Sequence, residues 1–230
     1  METKLNYKRT FLIGLAFLSI CSFWQMYDNI IPLILQNTYH LGETMTGAVM
    51  ALDNVLAIFL LPVFGTLSDK VHTKLGRRMP FIVSGTILAV IFMMLLPMID
   101  NAEKARWGTV ESFSNQVIFL AVLFFTLVSM GLYRSPAVAL MPDVTPNHLR
   151  SRANAVINLM GAVGGVYALI MIKVLVGKGE TPDYLPLFAS IAAVMAIAVG
   201  ILVITIRENK LREEVEKAEA ANAGTIEEKA

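Results

Sequence analysis

Apolar residues run in long unbroken blocks along this chain, separated by short gaps where Gly, Pro and charge collect. Six blocks lie near 10–35, 44–66, 80–98, 116–140, 153–176 and 185–206. Each is close to the ~20 helical residues needed to cross ~30 Å of hydrocarbon. The pattern predicts an all-α polytopic membrane protein with six transmembrane helices. A membrane β-barrel would read as ~10-residue alternating segments, and these blocks are continuous and much longer. The first block does not fit a cleaved signal peptide. It is too long, carries Trp24, Gln25 and Asp28, and lacks a small-residue cleavage site. The pattern changes in 207–230, which has few large apolar residues. Glu208–Arg212 and Glu213–Lys217 there have helix-supporting i,i+4 spacing. A solvated helix that frays at its end is expected, either a cytoplasmic tail or the start of a central linker.

Composition agrees with a bilayer environment. Apolar residues make up 56% of the 230, with the 15 Gly left out, and charged residues 16%. Soluble domains hold about 45–50% apolar residues with Gly included and about 25% charged ones. The net charge of +1 gives no reason to expect a nucleic-acid partner. A lone Cys21 allows no internal disulfide. His40, His72 and His148 all fall in gaps, which argues against an intramembrane histidine relay or a His/Cys metal site.

Lys and Arg in the gaps set the orientation. With the N-terminus inside, the inner segments hold Lys4, Lys8, Arg9, Lys70, Lys74, Arg77, Arg78, Arg150, Arg152, Arg207, Lys210 and Arg212. The outer ones hold Lys104, Arg106 and Lys178. Both termini are therefore expected in the cytoplasm, most simply at the plasma membrane. The gap after the second block, "GTLSDKVHTKLGRR" (65–78), is then an inner loop. Gly65 permits close helix approach, and Gly76 permits a tight turn before a helix that starts near Pro80. Asp69 falls near a helix C-terminus, where the dipole disfavours an acid. It is expected to answer a nearby Arg or the N-terminus of another helix.

This stretch resembles the loop motif between helices two and three of the major facilitator superfamily: Gly65, Asp69 four residues on, a basic residue, then Gly76 and the pair Arg77-Arg78. The longer spacing from Asp69 to Gly76, followed by Arg-Arg-x-Pro, is similar to the glycoside/pentoside/hexuronide:cation symporters and the related sucrose/proton symporters. A second stretch resembles the same group: Tyr133–Val166, with Arg134 late in helix four, Pro142-Asp143 in the loop, Arg152-Ala-Asn154 opening helix five, then clustered Gly. The resemblance implies one half of a two-bundle transporter that works by alternating access. It also implies that Asp69 acts as a conformational latch on the opposite half, supported by Arg77, Arg78, Asp143 and Arg152. Topology anchoring by the same charges is the competing reading. Such transporters have twelve helices in two halves around a midplane site. This chain resembles an N-terminal half, so a second six-helix half is an expected partner, whether a separate chain, a missing C-terminal segment or a second copy.

Ionisable residues within spans are costly and mark pathways. At ~1.5 Å per residue, Asp28 comes out roughly 25 Å above the inner surface, Asp53 about 20 Å and Arg134 about 10 Å. Lys173, near the outer end of the fifth block, can snorkel to water. Trp24, Gln25 and Asp28 share a face at i, i+1 and i+4, and an indole beside an amide and a carboxylate suits a sugar. An interfacial Trp anchor with a solvated Asp is the bland alternative. Asp28 or Asp53 could carry a coupling proton or sodium ion, with Asp53 the expected partner of Arg134. Tyr27 and Asn29 are undecided between cavity and packing. Asn154, Asn158, Gly161 and Gly165 share a face that could set amides beside Arg134 or simply pack helices.

No phosphate-binding glycine loop, metal-ligand cluster or nucleophile elbow is present, so an enzyme and a resident cofactor are not expected. The leading expectation is cation- or proton-coupled symport of a sugar or glycoside. The alternatives are an exporter of drugs or organic anions, and a non-transporting six-helix partner subunit.

Overall fold

The computed structural model describes residues 5–106, 113–177, 179 and 181–227. Lys4, Lys178 and the last three tail residues lie outside these. The described chain is helical: α1 (Tyr7–Asn37), α2 (Glu43–Met50), α3 (Leu52–Lys70), α4 (Met79–Lys104), α5 (Phe113–Asp143), a 3-10 turn (Asn147–Leu149), α6 (Arg150–Leu175), α7 (Leu185–Thr205) and α8 (Glu208–Glu227). No strand occurs among the described residues.

Six helical segments are long and apolar enough to cross a membrane, with α2 and α3 counted as one and the 3-10 turn joined to α6. The second block is divided at a single residue, Ala51, at ψ −14°. The ladder continues through it, because the Ala51 N–H donates to Gly47 O at 2.9 Å and the Val55 N–H to Ala51 O at 3.2 Å. The third block also runs past 98 to Lys104. Asp100 can stay in the helix because its charge is paired there.

α1 is the central helix. It packs against α2, α5, α6 and α7, while α4 packs on α5 and α7, and α3 lies on α5. Of the apolar windows, 56% of α1 is buried but only 6% of the α2–α3 segment, which places α3 at the edge of the bundle. Within hydrocarbon, helices associate through close van der Waals packing and interhelical hydrogen bonds, since lipid is as apolar as Leu. Both occur here. A β-carbon on Gly164 would overlap the Leu18 carbonyl, so α6 lies directly on the α1 backbone. Ser22 Oγ then donates to Gly164 O at 2.9 Å across the same crossing. Ser19 Oγ of α1 and the fully buried Tyr133 Oη of α5 lie 2.6 Å apart.

Candidate functional site

Two polar constellations stand out, one within the bundle and one at the end that carries the 65–78 loop. Inside, α1, α3 and α5 border an open cleft. Trp24 comes from α1, Asp53 from the first turn of α3, and Gly131 and Arg134 from α5, and Leu56, Leu60 and Leu61 supply apolar wall. The Arg134 guanidinium lies over the Trp24 ring, 5.5 Å from its centroid. A cation at that distance from an aromatic face gains about 0.5–2 kcal/mol, more as water is excluded. The ring itself is fixed by edge contacts with Phe23 and Tyr27, at 5.3 and 5.4 Å between centroids. The Trp24 Nε1 and the Tyr27 hydroxyl are buried and find no partner among the described residues.

The structure thus brings Trp24, Asp53 and Arg134 together. The expected Asp53–Arg134 ion pair is not formed. Arg134 is drawn over the indole instead, and Asp53 accepts a hydrogen bond from Asn54 Nδ2 at 2.9 Å. Asp28 is exposed one helical turn beyond Trp24, where its carboxylate and that of Asp53 act on each other electrostatically. Gln25 is half-buried beside Gly165, and its carbonyl accepts from Asn29 Nδ2 at 2.7 Å. Asn154 and Asn158 are exposed on α6 and do not border the cleft. The close face of α6 toward α1 is the i,i+3 pair Gly161 and Gly164, not the line through Asn158 and Gly165. Lys173 is exposed in the last turn of α6, where a cation complements the helix dipole.

At the end that carries the 65–78 loop, four charges form one cluster. Arg78 Nη2 lies 2.6 Å from Asp69 Oδ1, and Arg78 Nε donates to Asp143 Oδ2 at 3.0 Å. Arg77 Nη2 reaches the same Asp143 oxygen at 3.0 Å, and its Nη1 lies 3.7 Å from Asp69. The remaining Arg78 nitrogen donates to Gly65 O at 3.2 Å and Ser68 Oγ at 2.5 Å. Arg78 is only 5% exposed, so these bonds must offset its desolvation. Gly76 adopts φ +127°, which an L side chain resists, and closes a tight turn in which the Thr73 N–H donates to its carbonyl at 3.2 Å. Arg152 is exposed and outside the cluster. Its neighbour Arg150 is the residue that engages, donating to Pro142 O at 2.8 Å, an orphan carbonyl at the end of α5, and to Thr145 O at 3.2 Å in the loop beyond it.

Two further groupings escaped the sequence pattern. The α8 helix is not simply solvated: Glu208, Leu211 and Val215 are buried along one face. Arg212 pairs with Glu216 at 2.9 Å rather than with Glu208, whereas Glu213 and Lys217 do pair, at 2.6 Å. That bond, chiefly, holds the Glu213 carboxyl below its ordinary value and the Lys217 ammonium above its own. At the opposite end of the bundle, the fully buried Asp100 accepts from Lys104 Nζ at 2.6 Å and Thr38 Oγ1 at 2.7 Å. Lys104 also donates to Pro182 O at 2.7 Å and lies 4.4 Å from the Tyr184 ring centroid. Burial, and then the Asp100 carboxylate, push the Tyr184 phenol up, and Tyr39 is raised in the same order of causes with Glu103 added. Spacing alone signals the Asp100–Lys104 pair, at i,i+4.

Known proteins agree on the kind of molecule this is. Over 137 residues the chain is 26% identical to a sucrose transport protein of Oryza sativa subsp. japonica, a match covering 56% of this chain and 27% of that protein. It is 34% identical over 116 residues to a sucrose transport protein of Arabidopsis thaliana, covering 47% and 22%. It is 24% identical over 144 residues to an uncharacterized symporter of Synechocystis, covering 60% and 25%. The chain thus matches about a quarter of the length of each of these relatives. Six apolar helices, a charge cluster in the loop after the second of them, and a match of residues 12–228 to the family model establish the chain as an integral membrane protein that belongs to the Major Facilitator Superfamily.

Proposed function

We propose that this chain is the N-terminal half of a cation- or proton-coupled symporter of a sugar or glycoside. The observation that carries this is the cleft that joins Trp24, Arg134 and Asp53. An indole face offers an apolar surface for the C–H side of a sugar ring, while the guanidinium and carboxylate bond to hydroxyls, donor and acceptor respectively. The names of the relatives, sucrose transport proteins and a symporter, support the substrate class and the coupling.

In this reading Asp53, with Asp28 beyond it, carries the coupling proton or sodium ion. Asp53 on the cleft wall and the exposed Asp28 one turn beyond Trp24 supply the negative charge and acceptor oxygens that such a cation or proton requires. A second six-helix bundle closes the cleft, and rocking of the two bundles exposes it to each side in turn. The Asp69, Arg77, Arg78 and Asp143 cluster, with Gly65 and Gly76 giving its backbone close approach, stabilises one of the two states. The termini face the cytoplasm of a plasma membrane.

Uptake of a labelled sugar into vesicles containing the assembled transporter, driven by a proton or sodium gradient, tests the reading. Arg134→Ala is expected to reduce uptake at least about 100-fold, as loss of a positioned charged group in a water-poor site does, while membrane insertion stays intact. Gradient-driven accumulation of an organic anion but of no sugar overturns the substrate class, and unchanged sugar uptake by Arg134→Ala removes the cleft as the site.

A further inference from the structure

Glu208 opens α8, two residues beyond the last apolar residue of the sixth block, and is 1% exposed. A buried carboxylate needs compensation, yet Glu208 pairs with no cationic side chain among the described residues. Its oxygens instead accept backbone N–H groups: Arg77 at 2.8 Å, Arg78 at 3.0 Å to each oxygen, and Met79 at 3.1 Å. These are donors at the start of α4 that the helix itself leaves unsatisfied, and the dipole favours an anion there. A side chain at position 76 would overlap the Glu208 carboxylate, so Gly76 makes room for it. Asn209 Nδ2 adds bonds to Thr73 O at 3.0 Å and Lys74 O at 3.3 Å, on the same loop.

The backbone that Glu208 holds is the one that bears both cluster arginines. Arg78 must meet Asp69, Ser68 and Gly65 of α3 and Asp143 of α5 at once. A guanidinium satisfies that many partners only when its Cα is fixed, because its donors form a rigid fork. We infer that Glu208 is a positioning residue for the inner charge cluster: docking of the segment after the last span holds the loop backbone and thereby keeps Arg77 and Arg78 in register with Asp69 and Asp143. The same helix touches the other inner segments through Glu214, 3.4 Å from Arg9, and Glu219, which accepts the Asn147 N–H at 3.2 Å. The start of α8 is then part of the inner gate and not a passive connector. This inference is independent of which solute is carried.

Ser68 provides the reporter, being 0% exposed with its hydroxyl under Arg78. In the full chain in membranes, with Cys21→Ala to remove the native thiol, Ser68→Cys is treated from the loop side with a membrane-impermeant maleimide. Glu208→Ala is expected to speed labelling at least about tenfold, the scale of losing charge-assisted hydrogen bonds. Glu208→Gln, which keeps one accepting oxygen, falls between, and Glu213→Gln on the exposed side of α8 leaves the rate unchanged. A role confined to tethering the tail would make α8 protease-sensitive without exposing position 68. Unchanged labelling in both Glu208 variants overturns the proposal, and if Glu208→Ala fails to insert, the Glu208→Gln comparison decides alone.

Discussion

At Gly164 the two most extensively packed helices leave no room for a β-carbon, since one built there overlaps the Leu18 carbonyl of α1. Backbone cannot retreat as a flexible side chain can, so Gly164→Ala forces α1 and α6 apart. A cost of about 2 kcal/mol is expected, typical of overpacking, together with strain on the Ser22-to-Gly164 hydrogen bond. Gly165→Ala is the control, because its nearest neighbour is Gln25 Oε1 at 3.7 Å, ordinary contact. Thermal unfolding in detergent should separate the two, and equal midpoints would mean that the crossing lies elsewhere. The cluster of small residues at 161–165 was readable in the sequence as a site of close approach. Which of them face α1 was not, because spacing on a lone helix gives several candidate faces and only the partner's position selects one. The same holds for Arg134. Its depth suggested a carboxylate partner, but side-chain reach in three dimensions gave it the Trp24 ring instead.

Among the elements, the long apolar helices followed from composition, since no other structure satisfies the backbone of ~20 apolar residues in lipid. Their ends did not, because the ends depend on polar partners distant in sequence. The clearest case is α4, which continues through Asp100 to Lys104 because the pair, Thr38 and the Pro182 carbonyl satisfy one another. Hydropathy scores Asp100 as a stop, whereas the folded chain buries it completely. Lys104→Met should therefore destabilise the bundle by about 3–5 kcal/mol, the usual penalty for stranding one member of a buried ion pair. Adding Asp100→Asn should recover most of that loss by removing the stranded charge. Unfolding midpoints of the single and double variants test this, and a double variant no more stable than Lys104→Met would show that the pair is not coupled. The α8 helix departs from its sequence pattern for a related reason. Its i,i+4 charges describe an isolated helix, but one face is committed to the loop before α4, where Glu208 finds backbone donors rather than Arg212.

For the molecule as a whole, the edge position of α3 has the largest consequence. Ile58, Phe59 and Val63 are 69%, 65% and 54% exposed, and Leu159, Val163 and Val166 of α6 are similarly bare. Apolar exposure of this kind can face lipid or protein, and the two differ in what happens when a complementary bundle is supplied. The cleft borders α3, so a bundle that closes the cleft must also cover that helix. Ile204 near the α8 end of α7 is 83% exposed and does not border the cleft, which makes it the comparison position. Val63→Cys and Ile204→Cys, each with Cys21→Ala, can be labelled with a lipid-soluble thiol reagent in membranes, with and without a co-expressed six-helix bundle from a sucrose transporter relative. The position on α3 should lose at least about tenfold in labelling rate when the partner is present, as sites sealed in a packed interface do, while that on α7 keeps its rate. Equal labelling of Val63→Cys under both conditions would assign the α3 face to lipid and leave the cleft without the closure that alternating access requires.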